Sequence, residues 1–234
     1  MKSTSKKTKL SRTMRGDLVS IMQDEILGKR FKPGERITEE SICEELGVSR
    51  IPVREAMAVL AQRGLVVQKP HHATVVATFT PREIIDLLRI ESAVEGMAAA
   101  LAASNRTEEQ LKTLESLTES ARSTLTEHFD SDAFFNYDRK FHFTLVECCG
   151  SPMVTRIVEI QLALIYLSRY YTITAPNRFN HSVKEHQDII ECLRRSDPVR
   201  AESTVRMHLQ SVIGDYQAAV DANGCAKEEI GGQG

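Results

Sequence analysis

The segment Thr38-Glu-Glu-Ser-Ile-Cys-Glu-Glu-Leu-Gly-Val-Ser-Arg-Ile-Pro-Val-Arg-Glu-Ala-Met-Ala-Val-Leu60 contains two short helices and the turn between them. Thr38 can cap a helix over Glu39 to Leu46, with Ile42 and Leu46 on one face and Gly47 as its stop. Three residues on, Ser49 can cap the next helix. Pro52 then falls in its first turn, where the backbone N–H groups lack intrahelical partners and a proline costs little. That helix runs through Val53, Met57 and Leu60 to Gly64. A helix of ~8 residues, a three-residue turn and a second helix that opens on arginine is the spacing that presents a recognition helix to the DNA major groove. Arg50 and Arg54, four residues apart, project from one face. Arginine's planar fork can bond guanine O6 and N7 together, or clamp a phosphate.

On the N-terminal side, Met14, Leu18, Ile21, Met22 and Leu27 recur at helical spacing from Leu10 until Gly28, and Pro33-Gly34 marks a turn. On the C-terminal side, Leu65-Val-Val and Thr74-Val-Val flank Gln68-Lys-Pro-His-His-Ala73 and read as a hairpin. Three helices and a hairpin make a winged helix-turn-helix over residues 10–78, preceded by a basic tail, residues 1–9, expected to be disordered.

Past Phe79 the signals change to helix after helix. Thr80-Pro-Arg-Glu83 is a capping box, and its helix continues through Ala98-Ala-Ala-Leu-Ala-Ala103. Further helices are expected from Thr107, from Ser131 to Cys149, from Ser151-Pro152 to about Tyr171, from Ser182, and from Asp197-Pro198 to about Val220. The fold class is therefore mainly α: a winged helix-turn-helix and then an all-α bundle of six or seven helices over residues 79–221, with residues 222–234 a disordered tail.

Composition agrees with two domains that meet different partners. The 234 residues carry a net charge of −2, but residues 1–78 hold 14 Lys+Arg against 9 Asp+Glu while the rest hold 16 against 23. The basic front suits a polyanion. The richest apolar stretch, Ile157 to Leu167, contains Glu159 and Gln161 and is too short for a membrane span, so a soluble cytoplasmic protein is expected. Five cysteines with no Cys-x-x-Cys suggest reduced thiols, neither a disulfide framework nor a thiolate zinc site.

In the bundle, Asp138 and His142 stand at i, i+4, which stacks a carboxylate and an imidazole on one helical face as a start for a divalent metal. His186 and His208 lie on two later helices, flanked by Ile189 and Ile190 and by Val205 and Leu209, which would aim them inward. Such a set from three helices could converge in a bundle core. The aromatic run Phe134, Phe135, Tyr137, Phe141 and Phe143 is read as core packing.

Residues 11–78 resemble the winged helix of the GntR family, on Pro33-Gly-Glu-Arg-Ile-Thr-Glu39, Leu46-Gly-Val-Ser-Arg-Ile-Pro-Val-Arg-Glu-Ala56 and Leu60-Ala-Gln-Arg-Gly-Leu-Val66. The resemblance implies DNA contacts from Arg36, Ser49, Arg50, Pro52 and Arg54. At the wing tip, Ala73 stands where the family usually has glycine, and His71 and His72 are the polar candidates there.

Residues 81–220 resemble the FCD-type ligand-binding domain of the FadR subfamily. The carrying pieces are Leu88-Arg-Ile-Glu91, Ala98-Ala-Ala-Leu-Ala102, Asp138-Arg-Lys-Phe-His142, Glu185-His-Gln-Asp-Ile-Ile190 and Arg206-Met-His-Leu209. This implies a divalent metal held by Asp138, His142, His186 and His208, with zinc first and nickel, manganese or iron as alternatives. It also implies a small carboxylate effector paired with Arg89. The function expected is a ligand-responsive transcriptional regulator, a repressor, that binds a pseudo-palindromic operator as a homodimer. The competing reading is a small metal-dependent hydrolase using the Asp/His site. It would need a general base beside the metal, and no His-Glu-x-x-His or other catalytic motif is present, so no enzyme is expected.

Overall fold

The computed structural model describes residues 12–28, 30–68, 73–127, 129–169 and 176–231. The chain divides into two compact units, Met1–Thr78 and Phe79–Gly234. The expectations for residues 1–9, and for His71 and His72, fall outside the described residues.

In the first unit, α1 (Arg12–Leu27), α2 (Glu39–Leu46) and α3 (Arg50–Gln62) enclose Leu18, Met22, Ile26, Ile42, Val53, Met57 and Leu60. The Thr38 side chain accepts from the Ser41 N–H and so caps α2. Gly47 ends α2 in the left-handed region, at φ 64°, where its N–H donates to the Cys43 carbonyl; a residue with a Cβ would be strained there. The wing strands β2 (Val66–Val67) and β3 (Thr74–Val76) pair antiparallel as expected. A further strand, β1 (Arg36–Ile37), pairs with β3 to give the order β1-β3-β2. Its two residues are too few to show an alternating pattern in the sequence, and the pairing partner lies far along the chain.

Among the described residues of the second unit six helices follow: α4 (Pro81–Asn105), α5 (Glu108–Glu127), α6 (Ser131–Glu147), α7 (Pro152–Arg169), α8 (Pro176–Arg194) and α9 (Pro198–Gly231). The Thr80–Glu83 capping box is formed in both directions, with Pro81 in the first turn. Two boundaries differ from expectation. Helix α8 opens at Pro176 and not at Ser182, because proline at a first helical position gives up no backbone hydrogen bond. Helix α9 runs on to Gly231 through the segment expected to be a disordered tail, where Ala222, Ala226, Lys227, Glu228 and Glu229 are good helix formers.

Helix α4 packs along α9 and α7. Ala98, Ala99, Ala102 and Ala103 are buried, and a Cβ at Gly96 would lie 3.1 Å from Arg206 Cγ, so small residues set how closely α4 and α9 approach. Helix α6 buries Phe134, Phe135, Tyr137, Phe141 and Leu145; of the aromatic run only Phe143 reaches the surface. Phe134 meets Phe179 of α8 edge-on, with ring centroids 5.3 Å apart. These contacts bring α6, α8 and α9 together around a buried polar cluster.

Candidate metal centre and nucleic-acid interface

Asp138 and His142 lie one turn apart on α6, His186 lies on α8 and His208 on α9, and all four are buried. The apolar flanks place them as the sequence suggests: Ile189, Ile190, Val205 and Leu209 are also buried, so the helix face that carries each histidine faces inward. The three imidazoles each offer a nitrogen within 4.8 Å of the others. Ring centroids lie 5.1 Å apart for His142 and His186, 4.8 Å for His186 and His208, and 5.3 Å for His142 and His208. Asp138 Oδ1 is 3.6 Å from His142 Nε2.

The outer nitrogens determine which way the inner ones present themselves. His142 Nδ1 is hydrogen-bonded to Glu95 Oε1, and His208 Nδ1 lies 2.8 Å from Glu185 Oε2. An ionised carboxylate only accepts, so each Nδ1 carries the hydrogen and each Nε2 keeps a lone pair. His186 Nδ1 lies 2.7 Å from the Tyr137 hydroxyl. His142 Nε2 and His208 Nε2 are buried without a hydrogen-bond partner. A buried acceptor left this way costs about 1–3 kcal/mol, a cost that a cation at the shared focus removes.

The histidines of the cluster differ in ionisation. Burial pushes the His208 imidazole down to about 4 against the opposing effect of its hydrogen bond to Glu185, so the ring is neutral at pH 7, as a metal ligand would have to be. Burial also acts to lower His142, but the charge and hydrogen bond of Glu95 outweigh it and its pKa rises. Burial would raise Glu185, yet His208 and Arg178 hold it near 2. Three imidazoles and a carboxylate form a donor set that fits zinc, and also admits nickel, manganese or iron.

A second group, Glu91, Glu95 and His142, also has its donor atoms within 4.8 Å of one another. Glu95 and His142 Nδ1 are too close to hold an ion between them, and the contact is that of a carboxylate orienting a histidine from behind. The sequence reading missed both glutamates as members of the site. The signal was present: Ile84, Leu88, Glu91, Glu95, Ala98 and Ala102 recur at three- and four-residue steps, so the two acids interrupt an apolar stripe.

Arg178, at the start of α8, was missed as well. It is buried and donates from Nε to Ser182 Oγ (3.1 Å), from Nη1 to Ser211 Oγ (2.8 Å) and Asp215 Oδ2 (2.9 Å), and from Nη2 to Glu185 Oε2 (2.6 Å). Its Nη2 also lies 3.5 Å from His208 Nδ1. Arg89 stands elsewhere. Leu88 faces the core, so the next residue on the helix is turned away, and the Arg89 guanidinium is 68% exposed beside Asp86. The arginine beside the histidine cluster is Arg178.

In the first unit, Arg50 and Arg54 project from the first turns of α3, their side chains 67% and 69% exposed. Arg54 makes a two-point contact with Glu39 (2.9 and 3.0 Å), and Arg50 lies 3.4 Å from Glu40. Ser49 precedes α3 with an exposed side chain that makes no capping hydrogen bond, and Arg36 is exposed on β1. Pro52, an expected DNA contact, is buried in the first turn of α3. Ala73 is half-buried at the start of β3. None of the helices among the described residues is long and apolar enough to cross a membrane.

Comparison with known proteins agrees with both halves. Residues 16–76 match the model of the bacterial regulatory proteins of the gntR family, and residues 86–211 match the FCD domain. The HTH-type transcriptional repressor RspR of Escherichia coli is 28% identical over 192 residues, covering 82% of this chain and 84% of the relative. The HTH-type transcriptional regulator YdhC of Bacillus subtilis is 27% identical over 183 residues, covering 78% and 82%. A probable D-xylose utilization operon transcriptional repressor of Paenarthrobacter nicotinovorans is 28% identical over 214 residues, covering 85% and 90%. Among solved structures, McbR/YncC of E. coli shares the fold at a TM-score of 0.77 and 21% identity, covering 91% of this chain and all of that one. With an exposed arginine pair on α3 of the first unit and a helical FCD domain as the second, the chain belongs to the GntR family of DNA-binding transcriptional regulators, in its FCD-domain branch.

Proposed function

We propose that this regulator is a repressor that binds a pseudo-palindromic operator as a homodimer and responds to a small carboxylate metabolite at a metal site in its helical domain. The observation that carries the sensor half is the convergence of His142, His186 and His208 beside Asp138, with the outer nitrogens of His142 and His208 held by carboxylates. Asp138, His142, His186 and His208 would hold the ion, with zinc favoured. The ion supplies Lewis-acidic positions able to receive a carboxylate group. Arg178, next to His208, is the guanidinium placed to respond to that added negative charge.

On the DNA side, Arg36, Ser49, Arg50 and Arg54 form the exposed set that faces the operator. Two of the relatives above are named as repressors, which supports that sign of regulation. A single helix-turn-helix presents one recognition helix, and a two-fold dimer supplies the second for the other half-site.

The test has two parts. Metal analysis of the purified protein should find about one divalent ion per chain. Gel-shift titration against its own promoter DNA should then show binding that small hydroxy, keto or dicarboxylic acids weaken in the metal-loaded protein but not after chelation. Absence of any bound or bindable divalent metal would remove the sensor half and leave the DNA-binding half standing.

A further inference from the structure

Behind the outer nitrogens of His142 and His208 stand carboxylates, and behind that of His186 stands the Tyr137 hydroxyl, at 2.7 Å. A hydroxyl can donate or accept, so this contact alone leaves the tautomer of His186 open. The next links close it. The Tyr137 hydroxyl donates to Thr118 Oγ1 at 3.3 Å, and Thr118 Oγ1 donates to the Leu114 carbonyl, one turn earlier on α5, at 2.9 Å. A carbonyl has no hydrogen to give. Thr118 must therefore spend its only hydrogen on Leu114, Tyr137 must spend its own on Thr118, and the phenol oxygen must accept from His186 Nδ1–H. The lone pair of His186 is thereby fixed on Nε2.

We infer that Tyr137 and Thr118 are positioning residues of the metal centre: a buried hydrogen-bond relay from the Leu114 carbonyl sets the tautomer of His186 and so presents its Nε2 lone pair to the metal. The inference rests on the metal-site reading above for its consequence, but the relay itself is a property of the metal-free protein. Two features support it. Thr118 and Tyr137 are buried, so water does not offer competing hydrogen bonds. The Phe141 ring stacks on His186, with centroids 3.8 Å apart and planes within 6°, which fixes the plane in which its two nitrogens lie.

The relay makes a specific claim about Thr118, which touches no proposed ligand. In Thr118→Val, a change of nearly the same shape, the Tyr137 hydrogen loses its acceptor and turns to His186 Nδ1. That ring then takes its hydrogen on Nε2, facing the other histidines. Zinc binding must reverse this and leave the Tyr137 hydroxyl hydrogen buried without an acceptor, which should weaken zinc by about 10- to 100-fold. Thr118→Ser keeps the relay and should restore near wild-type affinity. Tyr137→Phe removes the acceptor of Nδ1–H and should weaken zinc to a similar degree.

The experiment is nitrogen-15 NMR of the imidazole side chains in the full-length, metal-free protein, paired with competition titrations of zinc chloride against a chromophoric chelator. In wild type and Thr118→Ser, His186 should show a protonated Nδ1 and an unprotonated Nε2, and in Thr118→Val the pattern should invert or average. Thermal melts of the metal-free variants identify any that do not fold, and Thr118→Ser against Thr118→Val remains decisive if Tyr137→Phe is one of them. An unchanged His186 tautomer together with wild-type zinc affinity in Thr118→Val overturns the inference. An inverted tautomer in Thr118→Val, in a protein whose wild type binds no zinc, upholds the relay and refutes the metal site instead.

Discussion

Truncating His142 and truncating His208 should have different consequences without metal and the same consequence with it. In the metal-free protein, either alanine variant opens a void the size of an imidazole and removes a buried Nε2 that has no hydrogen bond. These contributions are alike in the two variants. The partner left behind is not. His208→Ala leaves Glu185, which is 26% exposed and still accepts from Arg178 at 2.6 Å. His142→Ala leaves Glu95, 1% exposed, without the imidazole that its Oε1 contacts, and its Oε2 is already buried without a hydrogen bond. Stranding a buried charge costs about 3–5 kcal/mol, so a gap of at least about 3 kcal/mol between the variants is expected. At roughly 2–4 °C per kcal/mol for a chain of this size, His142→Ala should melt roughly 6–12 °C below His208→Ala in chelator. Metal at a thousand times its dissociation constant should raise the wild type by about 4 kcal/mol and both variants by far less. Calorimetric scans with and without zinc read both effects. Equal melting of the two variants in chelator, or no recovery when Glu95→Gln is added to His142→Ala, would refute the assignment of Glu95 as the group that depends on His142.

The remaining expectations follow from single contacts. Arg54→Ala and Arg50→Ala should each weaken operator binding by about 1–3 kcal/mol at fixed salt, measured by gel shift, if these side chains read bases. Glu39→Gln should act in the opposite direction, tightening operator binding by a few-fold, because the exposed Arg54–Glu39 pair, worth about 0.2–1 kcal/mol, must loosen before Arg54 reaches DNA. For pH, the neutral form of His208 is favoured in the fold, with its pKa lowered to about 4 by burial, below the value of 6.5 for an unperturbed imidazole. Its contribution to stability is therefore complete above about pH 6.5 and lost as the pH falls towards 4, so urea midpoints of metal-free protein should decline through that window, and decline less in His208→Gln. Thr80→Ala removes the side chain that accepts from Glu83 N–H and the reciprocal support of the capping box, and should lower the stability of the helical unit by about 1 kcal/mol in the same assay.

Much of the fold and part of the site could be read along the chain, and the division follows the range of the interactions. Caps, stops and stripes are local: Thr38, Gly47, the Thr80–Glu83 box and the Asp138–His142 step each announce themselves within a few residues. The inward placement of His186 and His208 could be read from their apolar neighbours. Three other features were not visible in this way. Strand β1 exists only because β3 offers it an edge. Pro52, an expected DNA contact, is buried because the helix face that starts α3 packs into the domain. The groups behind the histidines, Glu95, Tyr137 and Glu185, come from α4, α6 and α8, and no spacing rule connects a residue to a partner 47 or 49 positions away.

The arginines show how a single helical step changes what a side chain can reach. Arg89 follows Leu88, which is fully buried, and a step of one residue turns a helix by about 100°, so Arg89 is carried out to solvent beside Asp86. The steps of three and seven from Leu88 return to the buried face and reach Glu91 and Glu95, so α4 brings acid to the centre where a base was expected. The guanidinium near the histidine cluster comes instead from Arg178, on the turn of α8 that lies before its expected start. Arg178 and His208 share Glu185, and Arg178 also reaches Asp215 on α9. A carboxylate arriving beside His208 would compete with Glu185 and Asp215 for the same guanidinium. Any release of those contacts would alter how α8 and α9 are tied together, which gives an effector at this site a physical means of biasing the bundle.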